Sequence, residues 1–182
     1  AGHAAGYMCR HGLKKNRFHY IPNGIDPQEW ENPAQLPGQH RQTLEQLRAS
    51  GKFLVGYFGG HAKSNCLDTL LEAAAQNRDL DIHYVLAGSG TQKAHLMRYA
   101  KEQGLSCVTF LPPVDKRAVP ALTEYFDCIY MGSKDSPLYR FGICMNKMFD
   151  SMMAAKPLIF ALNAPSSPVT DSGCAIVVRP QR

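Results

Sequence analysis

The chain has 182 residues and a formal net charge of +5, which is long enough for one good core and too short for two large domains. No apolar run approaches the roughly 18–20 residues needed to cross a bilayer, so a membrane span is excluded from this sequence. The basic residues are scattered, with Lys14, Lys15 and Arg17 as the compact cluster. Without a basic stripe interleaved with aromatics, no nucleic-acid partner is expected. That cluster reads as a solvated face with at most a weak attraction to anionic membrane surfaces.

The chain begins Ala1-Gly2-His3, without an initiator Met or a secretory pattern, and reads as a processed, excised or partial sequence. Residues 17–21 are expected to form one strand, and Pro22-Asn23-Gly24 is a turn signal. Residues 32–38 are Pro-rich and expected to be irregular. Residues 39–49 read as an amphipathic helix with Leu44 and Leu47 facing inward.

From Phe53 onward, strand, turn and helix alternate. Strands are expected at 53–58, 82–87, 107–111, 128–131, 157–160 and 174–178. Helices are expected at 67–75, from the turn after Gly90 through Ala100, around 121–125, and after Met145. Short apolar strands separated by helices predict a parallel sheet with right-handed crossovers. The fold expected is α/β, a Rossmann-like parallel sheet flanked by helices. No closing helix is expected after the last strand, where the chain runs Arg179-Pro180-Gln181-Arg182.

Cys9, Cys66, Cys107, Cys128, Cys144 and Cys174 show no metal-ligand spacing, and several fall in strand-like runs. They are expected to be buried, reduced thiols of a cytoplasmic protein. The histidines are equally dispersed, with no HxxxH or HExxH pattern, so no metal site is expected.

Ligands of open α/β sheets bind beyond the carboxyl ends of the strands. The loop Gly59-Gly60-His61-Ala62-Lys63-Ser64-Asn65 allows close backbone approach, and Lys63 can neutralise a phosphate. It reads equally well as a tight strand-to-helix turn with Ser64 or Asn65 as N-cap. Gly88-Ser89-Gly90 is a weaker signal, readable as a turn with Thr91 capping the next helix.

The segment Tyr139-Arg140-Phe141-Gly142-Ile143-Cys144-Met145-Asn146-Lys147-Met148-Phe149-Asp150 is the most informative. A Gly-bearing loop opens a helix whose free N–H groups and positive dipole end suit phosphate. Asn146 and Asp150 share one helix face, while Met145, Met148, Phe149, Met152 and Met153 form an apolar stripe that reads as core. Asp150 reads either as a favourable charge near the helix start or, preferably, as an acceptor for sugar hydroxyls. A nucleotide sugar, held by its diphosphate and ribose, is the leading ligand. Dinucleotide binding fails, because neither glycine loop completes GxGxxG and the second strand ends without an acid. No Ser-His-Asp or Cys-His arrangement occurs at these spacings.

Taken in order, Ile21-Pro22-Asn23-Gly24-Ile25-Asp26, Gly59-Gly60, Leu86-Ala87-Gly88-Ser89-Gly90 with Lys93, and Phe141-Gly142-Ile143 with Asn146-Lys147, Asp150 and Ala155-Lys156-Pro157 resemble a known family. It is the C-terminal, donor-binding half of a family 4 glycosyltransferase with the GT-B fold. The NK variant is similar to the branch that builds bacterial surface polysaccharides and O-antigens, such as fucosamine-type transferases. The resemblance implies that residues 1–50 are an inter-domain connection plus the first elements of the domain. Residues 51–182 would form the nucleotide-sugar-binding core, and the N-terminal acceptor domain lies outside this chain.

The resemblance further implies a UDP-sugar donor and a glycan or lipid-linked acceptor. Transfer would retain configuration without a metal or other cofactor. The location expected is cytoplasmic, at the inner membrane face where the acceptor is lipid-linked, with peripheral membrane association. Lys63 would be catalytic, stabilising the leaving group. Gly59, Gly60, Gly88, Gly90, Phe141, Gly142, Ile143, Asn146, Lys147 and Asp150 would bind the donor. The family's paired glutamates stand eight residues apart, and here Asp150 takes the second place while Gly142 takes the first. The usual arginine after the first strand is replaced by Phe58 or Gly59. This fragment alone is expected to turn over little or nothing. A non-catalytic nucleotide-binding module and a UDP-sugar epimerase are the competing readings.

Overall fold

A computed structural model describes residues 2–164 and 166–180. Six strands form one parallel sheet in the order β3-β2-β1-β4-β5-β6. They are β1 (Phe53–Phe58), β2 (Ile82–Ala87), β3 (Val108–Leu111), β4 (Cys128–Gly132), β5 (Leu158–Ala161) and β6 (Ala175–Val178). The strand order reverses at β1, which pairs with β2 on one side and β4 on the other. That reversal opens a crevice at the carboxyl edge, where doubly wound sheets hold ligands.

Eight α-helices occur among the described residues: α1 (Ala5–Arg10), α2 (Gln28–Glu31), α3 (Gly38–Ala49), α4 (Leu67–Gln76), α5 (Lys93–Glu102), α6 (Val119–Thr123), α7 (Asn146–Met153) and α8 (Pro168–Ser172). Both faces of the central strands are buried, so β1 and β2 read as continuous apolar runs. Val55, Tyr57, Tyr84 and Leu86 point to one face. There they meet the α4 stripe Leu67, Leu70, Leu71 and Ala74, and Leu96 of α5. That stripe follows the i, i+3, i+4, i+7 spacing of an amphipathic helix. Phe58, Val85 and Ala87 point to the other face, with Leu44, Leu122, Phe126, Met148 and Val169. Gly56 is required there, since a Cβ on it would lie 2.1 Å from the Phe126 ring.

Several expectations are corrected. Residues 17–21 form no strand; Lys15–Arg17 is a 3-10 turn and the following residues have no regular structure. The run is too short and too exposed to pair with a sheet whose edges lie elsewhere. In α3, Leu44 is buried and Leu47 packs partly buried against the same core, as expected, but the helix also buries an unexpected polar residue, His40. Its Nε2 lies 2.9 Å from the Pro112 carbonyl. Neither Ser64 nor Asn65 caps α4; Cys66 holds the N-cap position, in the left-handed region at φ 48° and without a side-chain capping bond. Gln92, not Thr91, precedes α5.

Of the six cysteines, which are all free, only Cys107 and Cys128 are buried. The helix α8 was not anticipated, although Ser167 and Thr170 form a capping box, Pro168 opens it and Gly173 ends it at φ 69°. At the C-terminus, Gln181 and Arg182 lie outside the described residues. The edge strand β6 leaves Ile176 69% and Val177 53% exposed. No helix among the described residues is long and apolar enough to cross a membrane.

Candidate functional site

Backbone hydrogen bonds stitch together the loops that follow β1, β2 and β3. The Gly59 N–H donates to the Ala87 carbonyl, the His61 N–H to the Ser89 carbonyl at 2.7 Å, and the Gly88 N–H to the Leu111 carbonyl. Lys93 reinforces the seam by donating to the carbonyls of Gly88 and Leu111, both at 2.7 Å. The fit requires glycine at two positions. A Cβ on Gly88 would lie 1.9 Å from the Gly59 oxygen, and one on Gly90 would lie 2.5 Å from the His61 oxygen. Both also sit at positive φ, 153° and 154°.

His61 lies behind this seam, fully buried, with both ring nitrogens unpartnered among the described residues. Burial, aided by the nearby Lys93 charge, holds its pKa down at about 4, so the ring is neutral at pH 7.

In front of the seam is a cavity of about 380 Å³. Gly59, Gly60, Gly88 and Ser89 form one wall. Phe58, Pro113, Val114 and Val119 form an apolar end, and Lys116, Asn146, Lys147 and Asp150 form a charged side. The α7 residues reach it because Met148 and Met152 fix the opposite face of that helix in or against the core. No side chain caps α7, so its first-turn N–H groups are not taken up by a capping residue.

Lys147 is the distinctive cation. Its Nζ donates to Asn65 Oδ1 at 2.9 Å and lies 5.1 Å from the centre of the Tyr57 ring. Asn65 and Tyr57 both donate in turn to the Gly60 carbonyl, at 2.7 and 2.6 Å. Among the described residues no carboxylate pairs with Lys147. Burial without a counter-charge pulls its pKa down to about 8. An ammonium in that condition is still protonated at pH 7 and is stabilised by an arriving anion.

Asp150 is buried, at 6% exposure. Its Oδ1 accepts from Lys116 Nζ at 2.7 Å, and Lys116 also lies 3.9 Å from Glu29 Oε2 of α2.

The cavity thus gathers Gly59, Gly60, Gly88, Asn146, Lys147 and Asp150 from the residues picked out in the sequence. Gly90 stands one step back, supporting the seam. Lys63 is exposed in the 3-10 turn Lys63–Asn65, outside the cavity lining. Phe141, Gly142 and Ile143 are also outside it. Phe141 packs 5.1 Å from the Tyr7 ring. The N–H groups of Gly142 and Ile143 donate to the carbonyls of Tyr139 and Ser166. Sequence reasoning missed Lys116 and Glu29; the position of Lys116 just beyond β3 was the signal that could have flagged it. Among the described residues, no three His, Cys, Asp or Glu side chains converge as a metal site.

Residues 52–182 match the family of glycosyl transferases group 1. WcaI of Escherichia coli (strain K12), a protein assigned as a glycosyl transferase of colanic acid biosynthesis, is 32% identical over 117 residues. The match covers 64% of this chain and 28% of WcaI. Alr3699/HepE from Anabaena, solved with UDP and glucose, superposes with a TM-score of 0.70 at 18% identity, over 97% of this chain and 47% of HepE. The C-terminal domain of LpcC, a group 1 family protein from Francisella tularensis, superposes with a TM-score of 0.61 at 19% identity. That match covers 87% of this chain and 81% of the domain. The chain therefore spans less than a third of WcaI and about half of HepE. At these identities the structural matches establish the fold, a Rossmann-like half of the GT-B type.

Proposed function

Because the chain belongs to the group 1 glycosyl transferases, we propose that its cavity holds the donor, a UDP-sugar, for transfer to a glycan or lipid-linked acceptor in surface polysaccharide biosynthesis. The observation that carries this reading is Lys147, a half-buried ammonium without a carboxylate partner among the described residues, set beside two glycine loops. A diphosphate supplies the missing counter-charge, aided by the uncapped start of α7. Asp150 takes the ribose, and the apolar end at Pro113, Val114 and Val119 takes the base. The UDP of HepE and the assignment of WcaI to colanic acid support the choice of donor and pathway class.

In transfer, the bond from the anomeric carbon to the diphosphate oxygen breaks, a bond to the acceptor oxygen forms, and the acceptor proton passes to the departing diphosphate. Negative charge grows on the departing diphosphate. A preorganised ammonium partly screened from water stabilises that charge more than it does the ground state. Lys147 fills this role, and the geometry favours it over the exposed Lys63. The reading is metal-independent and retaining. The acceptor is held by an N-terminal domain that pairs with residues 51–182 through the connection in residues 1–50.

Calorimetric titration of the chain with UDP, GDP and NAD tests the proposal, repeated on Lys147→Met and Asp150→Ala. UDP binding that both substitutions weaken, without NAD binding, is expected. Binding of none of the three, or UDP binding indifferent to Lys147→Met, would overturn it.

A further inference from the structure

Asp150 and Lys116 meet at the cavity, but only part of their hydrogen-bonding capacity is used. Asp150 Oδ1 is occupied by Lys116, whereas Oδ2 has no protein partner among the described residues. Lys116 Nζ carries three protons. One goes to Asp150 at 2.7 Å, and Glu29, at 3.9 Å, lies in ion-pair range but beyond hydrogen-bond reach. An acceptor and a donor, both charged and side by side, are therefore left over on one wall of the cavity.

Lys116 is also held in place at its base. Its 3-10 turn, Lys116–Ala118, is capped by Asp115, which accepts from the Arg117 N–H at 2.9 Å. The Arg117 carbonyl accepts from the Ala34 N–H at 2.8 Å. The side chain, 52% exposed, can adjust without disturbing the core.

We propose that Lys116 is a specificity-determining residue that, with Asp150, recognises the vicinal diol of the donor's ribose. The inference rests on the nucleotide-sugar reading of this cavity. The diol offers a 3′-hydroxyl that donates to Asp150 Oδ2 and a 2′-hydroxyl oxygen that accepts from Lys116 Nζ. A ribose lacking one hydroxyl satisfies one charged group and strands the other, which is how sites built around hydrogen bonds reject an analogue lacking the group. Lys147 lines the same cavity but bonds to Asn65, not to Asp150. The two lysines thus divide the donor between them, with Lys116 at the sugar of the nucleoside and Lys147 at the phosphates. The Lys116–Asp150 contact also aims the carboxylate, so the role of Lys116 is partly to position Asp150.

Titrations of this chain with UDP and with 2′-deoxy-UDP separate this role from simple charge neutralisation, using Lys116→Met and Lys116→Arg and a thermal melt of each. The wild-type chain should prefer UDP by about tenfold or more, as expected when a charged hydrogen-bond partner is stranded. Lys116→Met should shrink that preference to within about threefold, through weaker UDP binding and nearly unchanged 2′-deoxy-UDP binding. Lys116→Arg should restore much of it. A Lys116→Met chain that melts normally and keeps the wild-type ratio, whatever its absolute affinities, would overturn the inference alone. So would a wild-type chain that binds both nucleotides equally. If the wild-type chain binds neither, the nucleotide reading falls, and this inference falls with it.

Discussion

The two walls of the cavity are built from different materials. The wall from the β1 and β2 loops is backbone, with Gly59, Gly60, Gly88 and Ser89 held by main-chain hydrogen bonds and by Lys93. The wall from α7 and the turn after β3 is made of side chains, with Lys116, Asn146, Lys147 and Asp150 projecting from a scaffold packed elsewhere. Shape is set on the first side and chemistry on the second. Damage to the first should therefore register as lost stability, and damage to the second as lost binding from a folded protein.

The largest effect expected is on the backbone wall. Gly88→Ala places a Cβ 1.9 Å from the Gly59 oxygen at a φ of 153°, a collision with backbone that no rotamer change relieves. It should cost at least about 3 kcal/mol of stability, read as a shift in urea midpoint or as failure to fold. A variant of near-native stability would dissolve the distinction between the walls.

Acid tests the same wall from behind through His61, and the amino end of β2 through His83. His61 and His83 are both buried, with pKa values held down to about 4, chiefly by burial. Their unfolded pKa is near 6.5. Between these values the unfolded chain binds protons that the folded chain refuses, so stability falls as pH drops from about 6.5 to 4. The loss reaches about 3 kcal/mol per ring at most and stops growing below pH 4. Urea unfolding at pH 7, 5.5 and 4.5 measures it, and His61→Gln should flatten the slope.

On the side-chain wall the sign reverses. Lys147→Met removes a desolvated, carboxylate-free cation, so the melting temperature should hold or rise, while UDP affinity falls by roughly 10- to 100-fold. Wild-type UDP affinity should also decline as pH climbs through about 8, where Lys147 loses its proton, and Lys147→Met should erase that limb. The smallest effect expected is at Cys66, a non-glycine residue at φ 48°. Cys66→Gly should raise stability by up to about 1 kcal/mol, detectable as a small rise in melting temperature.

Much of the frame was legible because it depends on local pattern. The bounds of β1 and β2 follow from apolar runs ended by Gly59-Gly60 and Gly88-Ser89-Gly90. The α7 face that presents Asn146 and Asp150 follows from helical spacing against Met148 and Met152, although Met153 of the expected stripe is exposed. What escaped depends on long-range approach. Lys116 meets Asp150 across 34 positions of sequence, and nothing local to either residue marks the partner. Lys63 drew attention by its place in a glycine loop, yet the 3-10 turn leaves it exposed and Lys147 arrives at Asn65 from 82 positions away. The predicted strand at 17–21 shows the converse: local β propensity forms no strand where no neighbour is available to pair with.

The central place of β1 also sets the tempo of folding. Its partner β2 follows after a single helix, but its other partner, β4, comes only after β2, α5, β3 and α6 have been made. In a chain emerging from its N-terminal end, the β1–β2–β3 half is complete while Gly56 still faces an empty groove, because the ring that fills it belongs to Phe126, just before β4. Closure of that long loop is the slow step expected of a parallel topology. The arrival of Phe126 against Gly56 is therefore the event that joins the two halves into one sheet and first creates the crevice between them.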